Sequence, residues 1–282
     1  MNDACHLNGL RISFLIFSLL LPAVVSAEEP QSNGNTPDSL VILGVGTFDD
    51  WVSDLEFSSP STSVEGEMWI SQKPIVDPVQ AGQVPFVGAV LTPLGSTWAS
   101  PNVDVAAQSR LTTLYATPGG DFSLPVARAR LHTLSFPTMS IDVPVFRLST
   151  LLELNPSVLS FPGGVRYGAA HSNLALANLR RVRQILESDP GDGVTLLIEI
   201  YSSDGARLAS RALTLAYGET AYIVDIVGAL GITTLDSRLP NGVPGPHGIV
   251  RVSRTGGSGF FWGVLSTREI DGSLTVSLGL AP

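Results

Sequence analysis

The chain has 282 residues, and its 16 Lys and Arg against 25 Asp and Glu give a formal net charge of -9. This acidic balance excludes non-specific nucleic-acid binding, which needs a basic face. A single cysteine excludes an internal disulfide framework and a cysteine-based zinc site. A hydrophobic fraction of 44% predicts a folded chain and not a disordered one.

The first 27 residues have the layout of a secretory signal peptide. A polar start that ends in Arg11 precedes an apolar run over residues 12–21, and Val25-Ser26-Ala27 provides small residues for cleavage. The run is too short for a membrane anchor, which takes roughly 20 apolar residues. Cys5 would leave with this segment. We therefore expect a secreted, periplasmic or cell-surface protein without cysteine and without a membrane span in its mature chain.

The remaining sequence predicts an all-β protein. Residues 28–38 form a polar leader rich in Pro, Asn and Gly. After it, short apolar stretches alternate with turn residues, as in 41–45, 51–57, 195–201 and 208–215. Asp204-Gly205 and Asp271-Gly272 supply the positive φ of tight hairpin turns. Two stretches, 148–154 and 221–230, favour short helices, although their Ile and Val also suit strands.

Two places in the chain align with later places without gaps. Residues 51–57 match 170–176, and residues 111–132 match 249–270, where both copies read T-x-G-x-x-F-x-x-x-V-x-x-x-R. These two matched pairs of segments, here called the first and second anchors, occur in the same order in each half of the chain. This order predicts an internal duplication. Within the second anchor, the spacing places Val126 and Val264 inward and Arg130 and Arg268 at the rim.

The second half resembles secreted bacterial proteins built from tandem β-sandwich repeats. The resemblance rests on HSNLALANL, on VTLLIEIYSSDGARLASRALTL, on DIVGALGI and on GIVRVSRTGGSGFFWGVLSTREIDG. It covers about 165–275 well and about 45–135 poorly, because the first copy lacks the Asp-Gly hairpin. The resemblance implies an extracellular, Ig-like sandwich of structural or adhesive type, and it carries over no catalytic residue.

No motif in the chain specifies a reaction, a metal or a cofactor. His132, His171 and His247 have no metal-ligand spacing, and no G-x-S-x-G elbow occurs. The acidic group around Asp54 and Glu56 lacks a calcium-loop pattern. Such carboxylates on one strand face are most often solvated. We therefore expect no catalytic, cofactor-binding or metal-binding residues.

Four residues are candidates for contact with a ligand: Trp98, Arg180, Arg181 and Arg183. Trp98 follows a Gly-Ser-Thr turn and is expected to be exposed, whereas Trp51, Trp69 and Trp262 lie in strand patterns and are expected in the core. The three arginines form the only basic run in the sequence, which could meet an anionic partner or could belong to a solvated insertion.

The sequence thus predicts two tandem antiparallel β-sandwiches of Ig-like type over 39–134 and 165–282, joined by a connection over 135–164. The expected function is that of a non-catalytic structural or binding protein of adhesion type. The alternatives are a secreted hydrolase that acts on glycans and a carbohydrate-binding protein. A cell-surface glycan or a protein is the expected partner.

Overall fold

The computed structural model describes residues 38–45, 51–62, 65–73, 86–99, 112–119, 124–135, 140–165, 169–180, 192–232, 248–269 and 274–281. These residues all belong to one compact unit. The predicted signal peptide, most of the predicted leader and the Asp271-Gly272 turn lie outside them. Within the described part, no helix is both long and apolar enough to cross a membrane.

The fold consists of four antiparallel sheets, two from each half of the chain. The N-outer sheet has the strand order β5 (Ser96–Ala99), β2 (Trp51–Ser58), β7 (Val126–Thr133) and β8 (Ser140–Val143). The N-inner sheet has the order β4 (Phe86–Leu91), β3 (Gly66–Ser71), β6 (Thr112–Pro118), β1 (Leu40–Val45) and β9 (Val145–Arg147).

The second half repeats this arrangement. The C-inner sheet has the order β14 (Thr220–Ile223), β11 (Ala169–Asn178), β16 (Phe261–Glu269) and β17 (Leu274–Leu278). The C-outer sheet has the order β10 (Val158–Val165), β15 (Gly248–Gly257), β12 (Val194–Tyr201) and β13 (Arg207–Leu215). Two short helices complete the fold: α1 (Leu148–Leu154) and α2 (Ile226–Ala229).

The sheets stack in four layers, and the central strands of the two inner sheets are therefore buried on both faces. One core lies between the N-outer and N-inner sheets. A second core fills the C-terminal sandwich and also includes Val41, Leu43 and Tyr115 of the N-inner sheet. Every residue of β1 is buried, with alternate side chains in the two cores. A Cβ at Gly44 would lie only 3.4 Å from Cγ1 of Val264 on β16. The two sandwiches therefore share a packed interface.

The all-β, antiparallel fold class and several local predictions are confirmed. The Asp204-Gly205 turn joins β12 to β13, and Gly205 has a φ of +85°. Helix α1 covers the predicted range 148–154. The prediction of a helix over 221–230 is wrong in its first half, because β14 pairs with β11 there and only one helical turn follows. Asp225, with a φ of 44°, separates the strand from that turn.

The predicted connection over 135–164 contains regular structure. Strands β8 and β9 extend the two N-terminal sheets, α1 follows them, and β10 pairs with β15 in the C-outer sheet. Ser140 to Val143 alternates polar and apolar residues, which suits an edge strand with one covered face. The described part of this segment thus belongs to the sandwiches.

Both halves have the same strand order, in which β1 to β8 correspond to β10 to β17. The two sequence anchors are not in the same register, however. In the first half, Ser53 pairs with Leu131. The alignment matches these two residues with Ser172 and Glu269, so the same register would pair Ser172 with Glu269. Instead, Ser172 pairs with Thr267. A shift of two residues keeps each side chain on its face. The internal duplication stays a prediction.

The prediction that Val126 points inward, like Val264, is wrong. Val126 is 69% exposed and lies on the same face of β7 as Arg128 and Arg130, whereas Val264 is buried. The reason is the layer order. The face of β16 that carries Val264 packs against the N-inner sheet, while the matching face of β7 is the outer surface of the stack.

Candidate functional site

The outer face of the N-outer sheet is the candidate functional site, and it is polar. Alternation along β2 and β7 sends Leu55, Phe57 and Leu131 into the core and the intervening side chains outward. The described side chains of this outer face are Val52, Asp54, Glu56, Ser58, Ser96, Trp98, Val126, Arg128, Arg130, His132, Ser140 and Asp142.

Trp98 is the one Trp, Tyr or Phe among these described side chains, and it is 46% exposed. It lies on edge strand β5, directly opposite Glu56 of β2. The guanidinium carbon of Arg130 lies 4.9 Å from the centroid of its ring. A cation over an indole at an exposed site contributes about 0.5–1 kcal/mol. Arg130 therefore favours this orientation of the ring, and the exposure predicted for Trp98 is confirmed.

Asp54 lies between two cationic or titratable side chains of β7. Its Oδ2 atom is 3.8 Å from Nη2 of Arg130 and 3.4 Å from Nδ1 of His132. Neither Nε of Arg130 nor Nδ1 of His132, both buried, has a hydrogen-bond partner among the described residues. The carboxylate of Asp54 thus lies close to both side chains, and Arg130 also carries N–H donors on its two Nη atoms.

Glu56 is positioned by serine side chains at the edge of the face. The hydroxyl of Ser96 donates to Oε1 of Glu56 at 3.0 Å, and the hydroxyls of Ser58 and Ser96 are 3.0 Å apart. A carboxylate has about four lone-pair positions. Glu56 can therefore accept a further hydrogen bond beside Trp98.

At the other edge, Arg128 and Asp142 form a bidentate ion pair. Nε and Nη2 of Arg128 donate to the two carboxylate oxygens of Asp142, both at 3.0 Å. Both side chains are more than half exposed, so this pair contributes little to stability. The carboxylate of Asp142 nevertheless neutralises the positive charge of Arg128 on this face.

Arg180 lies elsewhere, at the junction between the sandwiches. Its guanidinium carbon is 5.5 Å from the centroid of Tyr217, and its Nε is buried without a hydrogen-bond partner in the described part of the chain. The structure places Arg180 after β11 and Trp98 on β5, in different layers. Arg181 and Arg183 lie outside the described residues.

Sequence reasoning did not group Arg130, Asp54 and Glu56 with Trp98. It placed Arg130 at a rim and treated the two carboxylates as an ordinary solvated face. The available signal was the alternation of charge at 54, 56, 128 and 130 on two strands. Only the strand pairing shows that Asp54 lies opposite Arg130 and Glu56 opposite Trp98.

The face offers an aromatic ring, fixed carboxylates and guanidinium donors, which suits recognition of a polar ligand. Among the described residues, no group of three or more His, Cys, Asp and Glu could hold a metal ion. Trp69 and Trp262 are buried as predicted, and the side chain of Trp51 lies outside the described atoms. No protein-family model matches the sequence, and the curated proteins include none that is similar to it.

Proposed function

We propose that this is an exported, non-catalytic binding protein of adhesion type, whose ligand contacts the outer face of the N-outer sheet at Trp98. The observation that carries the proposal is the exposure of Trp98 within a polar face. A single large apolar side chain on a surface needs no functional explanation. Here, however, Arg130 packs over one face of the ring, and Glu56 lies directly opposite Trp98.

The stacking of the sheets supports this choice of face. The corresponding set on β11 is Asn173, Ala175 and Ala177, and all three side chains are buried. Ala177 belongs to the core that also includes residues of the N-inner sheet. The matching positions on β2 carry Asp54, Glu56 and Ser58 under the alignment of the two halves. One face thus has residues suited to packing, and the other has residues suited to water and polar ligands.

The proposal is tested with the purified protein on a printed array of neutral glycans, acidic glycans and extracellular proteins. Trp98→Ala should weaken the binding signal at least tenfold. Leu208→Ala is the matched control, because Leu208 is a similarly exposed apolar side chain on β13 in the C-outer sheet. Binding that survives Trp98→Ala, or no binding at all, would overturn the proposal.

Export is tested separately. If residues 1–27 are a signal peptide, N-terminal sequencing of the protein recovered outside the cytoplasm should begin at Glu28. A sequence that begins at Met1 would contradict export through cleavage at Ala27.

A hydrolase is the second candidate, because Asp54 and Glu56 point outward from one strand. The Cα atoms of residues two apart on a strand are separated by about 6.5 Å, which would allow carboxyl groups to lie in the range of about 6.5–9.5 Å that inverting glycosidases use. Incubation with glycans bound on the array, followed by a reducing-end assay, distinguishes the two functions. A binding protein leaves the glycan intact, whereas new reducing ends that Glu56→Gln abolishes would establish the hydrolase.

A further inference from the structure

Resting on the proposed function, we infer that the ligand is a neutral glycan, one sugar ring of which stacks on Trp98 while its hydroxyl groups bind Glu56 and Arg130. The exposure of the indole, the polar groups around it and the charges of the face all favour this class of ligand.

The indole of Trp98 is exposed and has a favoured orientation in the absence of a ligand. Arg130 covers one face of the ring at 4.9 Å, and the residue still has 46% of its surface exposed. An apolar ring that already has a favoured orientation loses less conformational entropy on binding. The C–H face of a pyranose ring is flat and apolar and fits such a surface.

The groups around the ring match hydroxyl groups, which both donate and accept. Glu56 accepts, and Arg130 donates through its Nη groups. Ser96 and Ser58 can do either. Ser96 already donates to Glu56 at 3.0 Å. This hydrogen bond favours one orientation of the carboxylate, which can accept a second hydrogen bond from a ligand hydroxyl. Specific sites typically combine an apolar surface with a few placed polar groups of this kind.

The charges favour a neutral ligand over an anionic one. The described outer face has three carboxylates, Asp54, Glu56 and Asp142, against two guanidinium groups. Arg128 is paired with Asp142, and Arg130 lies beside Asp54. A polyanion would meet no surplus of positive charge on this face, and the whole chain has a net charge of -9.

A cationic ligand fits less well. Recognition of quaternary ammonium groups uses several aromatic side chains around the cation, and Trp98 is the one Trp, Tyr or Phe among the described side chains of this face. One face of its ring is already in contact with the guanidinium of Arg130, whose positive charge would repel a cation on the other face. A neutral, hydroxyl-rich ligand is therefore the class that the face accommodates.

The test is calorimetric titration of the full protein with neutral oligosaccharides of β-glucan, α-glucan and mannan type, and with uronic-acid or sulfated oligosaccharides of the same length. At least one neutral series should bind, with a Kd that changes less than threefold between 50 and 500 mM NaCl. Trp98→Ala should weaken this binding at least tenfold, and Trp98→Phe should weaken it less. Glu56→Gln, which keeps the shape of the side chain, should weaken it about threefold to tenfold.

The outcomes separate this inference from the proposed function. Binding of acidic oligosaccharides alone, with affinity that falls steeply with salt, would overturn the neutral ligand but keep the face. Binding of an array protein that depends on Trp98, with no glycan bound, would do the same. Neutral-glycan binding that Trp98→Ala leaves unchanged would overturn both, provided that the variant and Leu208→Ala unfold at the same temperature as the unmodified protein.

Discussion

Tyr115 and Arg180 connect the two sandwiches through a partly buried hydrogen bond. The backbone N–H of Arg180, just after β11, donates to the hydroxyl of Tyr115 on β6 at 2.9 Å. Beside it, the hydroxyl of Thr220 donates to that of Thr113 at 3.2 Å. These contacts lie where the N-inner and C-inner sheets pack, so the interface is specified by polar as well as apolar groups.

Tyr115→Phe should destabilise the protein by about 1–2 kcal/mol, because it leaves a partly buried N–H without its acceptor. The measurement is urea-induced unfolding, followed as one transition. Tyr201→Phe, at the end of β12, is the control and should change stability by less than about 0.5 kcal/mol. Equal stability of the Tyr115→Phe variant and the unmodified protein would contradict the role of this hydrogen bond.

Stability should also fall at alkaline pH because of Tyr115. Burial is the main cause that raises the pKa of Tyr115 far above its ordinary value of 10.0. The folded state then retains a proton that the unfolded state loses, so the contribution is complete below pH 10 and decreases as the pH rises further. Tyr115→Phe should flatten the pH dependence of the unfolding free energy above pH 10. An unchanged slope in the variant would contradict this assignment.

Val264→Ala and Val126→Ala form a matched pair for the layer order. Val264 is buried between two sheets, and its truncation should cost about 1–3 kcal/mol through lost burial and a cavity. Val126 is 69% exposed, and its truncation should change stability by less than about 0.5 kcal/mol. Similar losses of stability for the two variants would mean that the outer face of β7 is buried and would contradict the layer order.

Asn178 should be the most sensitive polar side chain of β11. Its buried Nδ2 group donates to the carbonyls of Asp192, at 2.8 Å, and Ala216, at 3.1 Å, with a longer contact to Leu215. Asn178→Ala leaves these acceptors unsatisfied and should cost about 2–4 kcal/mol.

Asn173→Ala, on the same strand, is the comparison for Asn178. It removes one acceptor, which the backbone N–H of Asp225 uses at 2.9 Å, and should cost about half as much. Thermal and urea unfolding of both variants would measure the two losses of stability. A smaller loss for Asn178→Ala than for Asn173→Ala would contradict the prediction.

The sequence predicts the strands well because their local patterns are strong. Alternation in 51–57 and the Asp204-Gly205 turn depend on near neighbours, and the structure confirms both. Helix 148–154 is also local. The region 221–230 is ambiguous, since its Ile and Val suit either structure, and only the pairing of β14 with β11 decides for a strand.

The stacking of the two sandwiches depends on contacts far apart in sequence. A signal was nevertheless present, because LVILGV in β1 and LALA in β11 place apolar or small residues on both faces, which is typical of strands covered on both sides. The arrangement of Trp98, Arg130 and Glu56 needed the cross-strand register, which alternation alone does not fix.

The position of the ligand at Trp98 is tested most directly by fluorine NMR of the protein labelled with 5-fluorotryptophan, titrated with the neutral oligosaccharide that binds most tightly. Trp98→Phe assigns the Trp98 resonance. This resonance should shift when the ligand binds, while those of buried Trp69 and Trp262 should stay in place. A bound oligosaccharide that leaves the Trp98 resonance unchanged would contradict the placement of the ligand on this face.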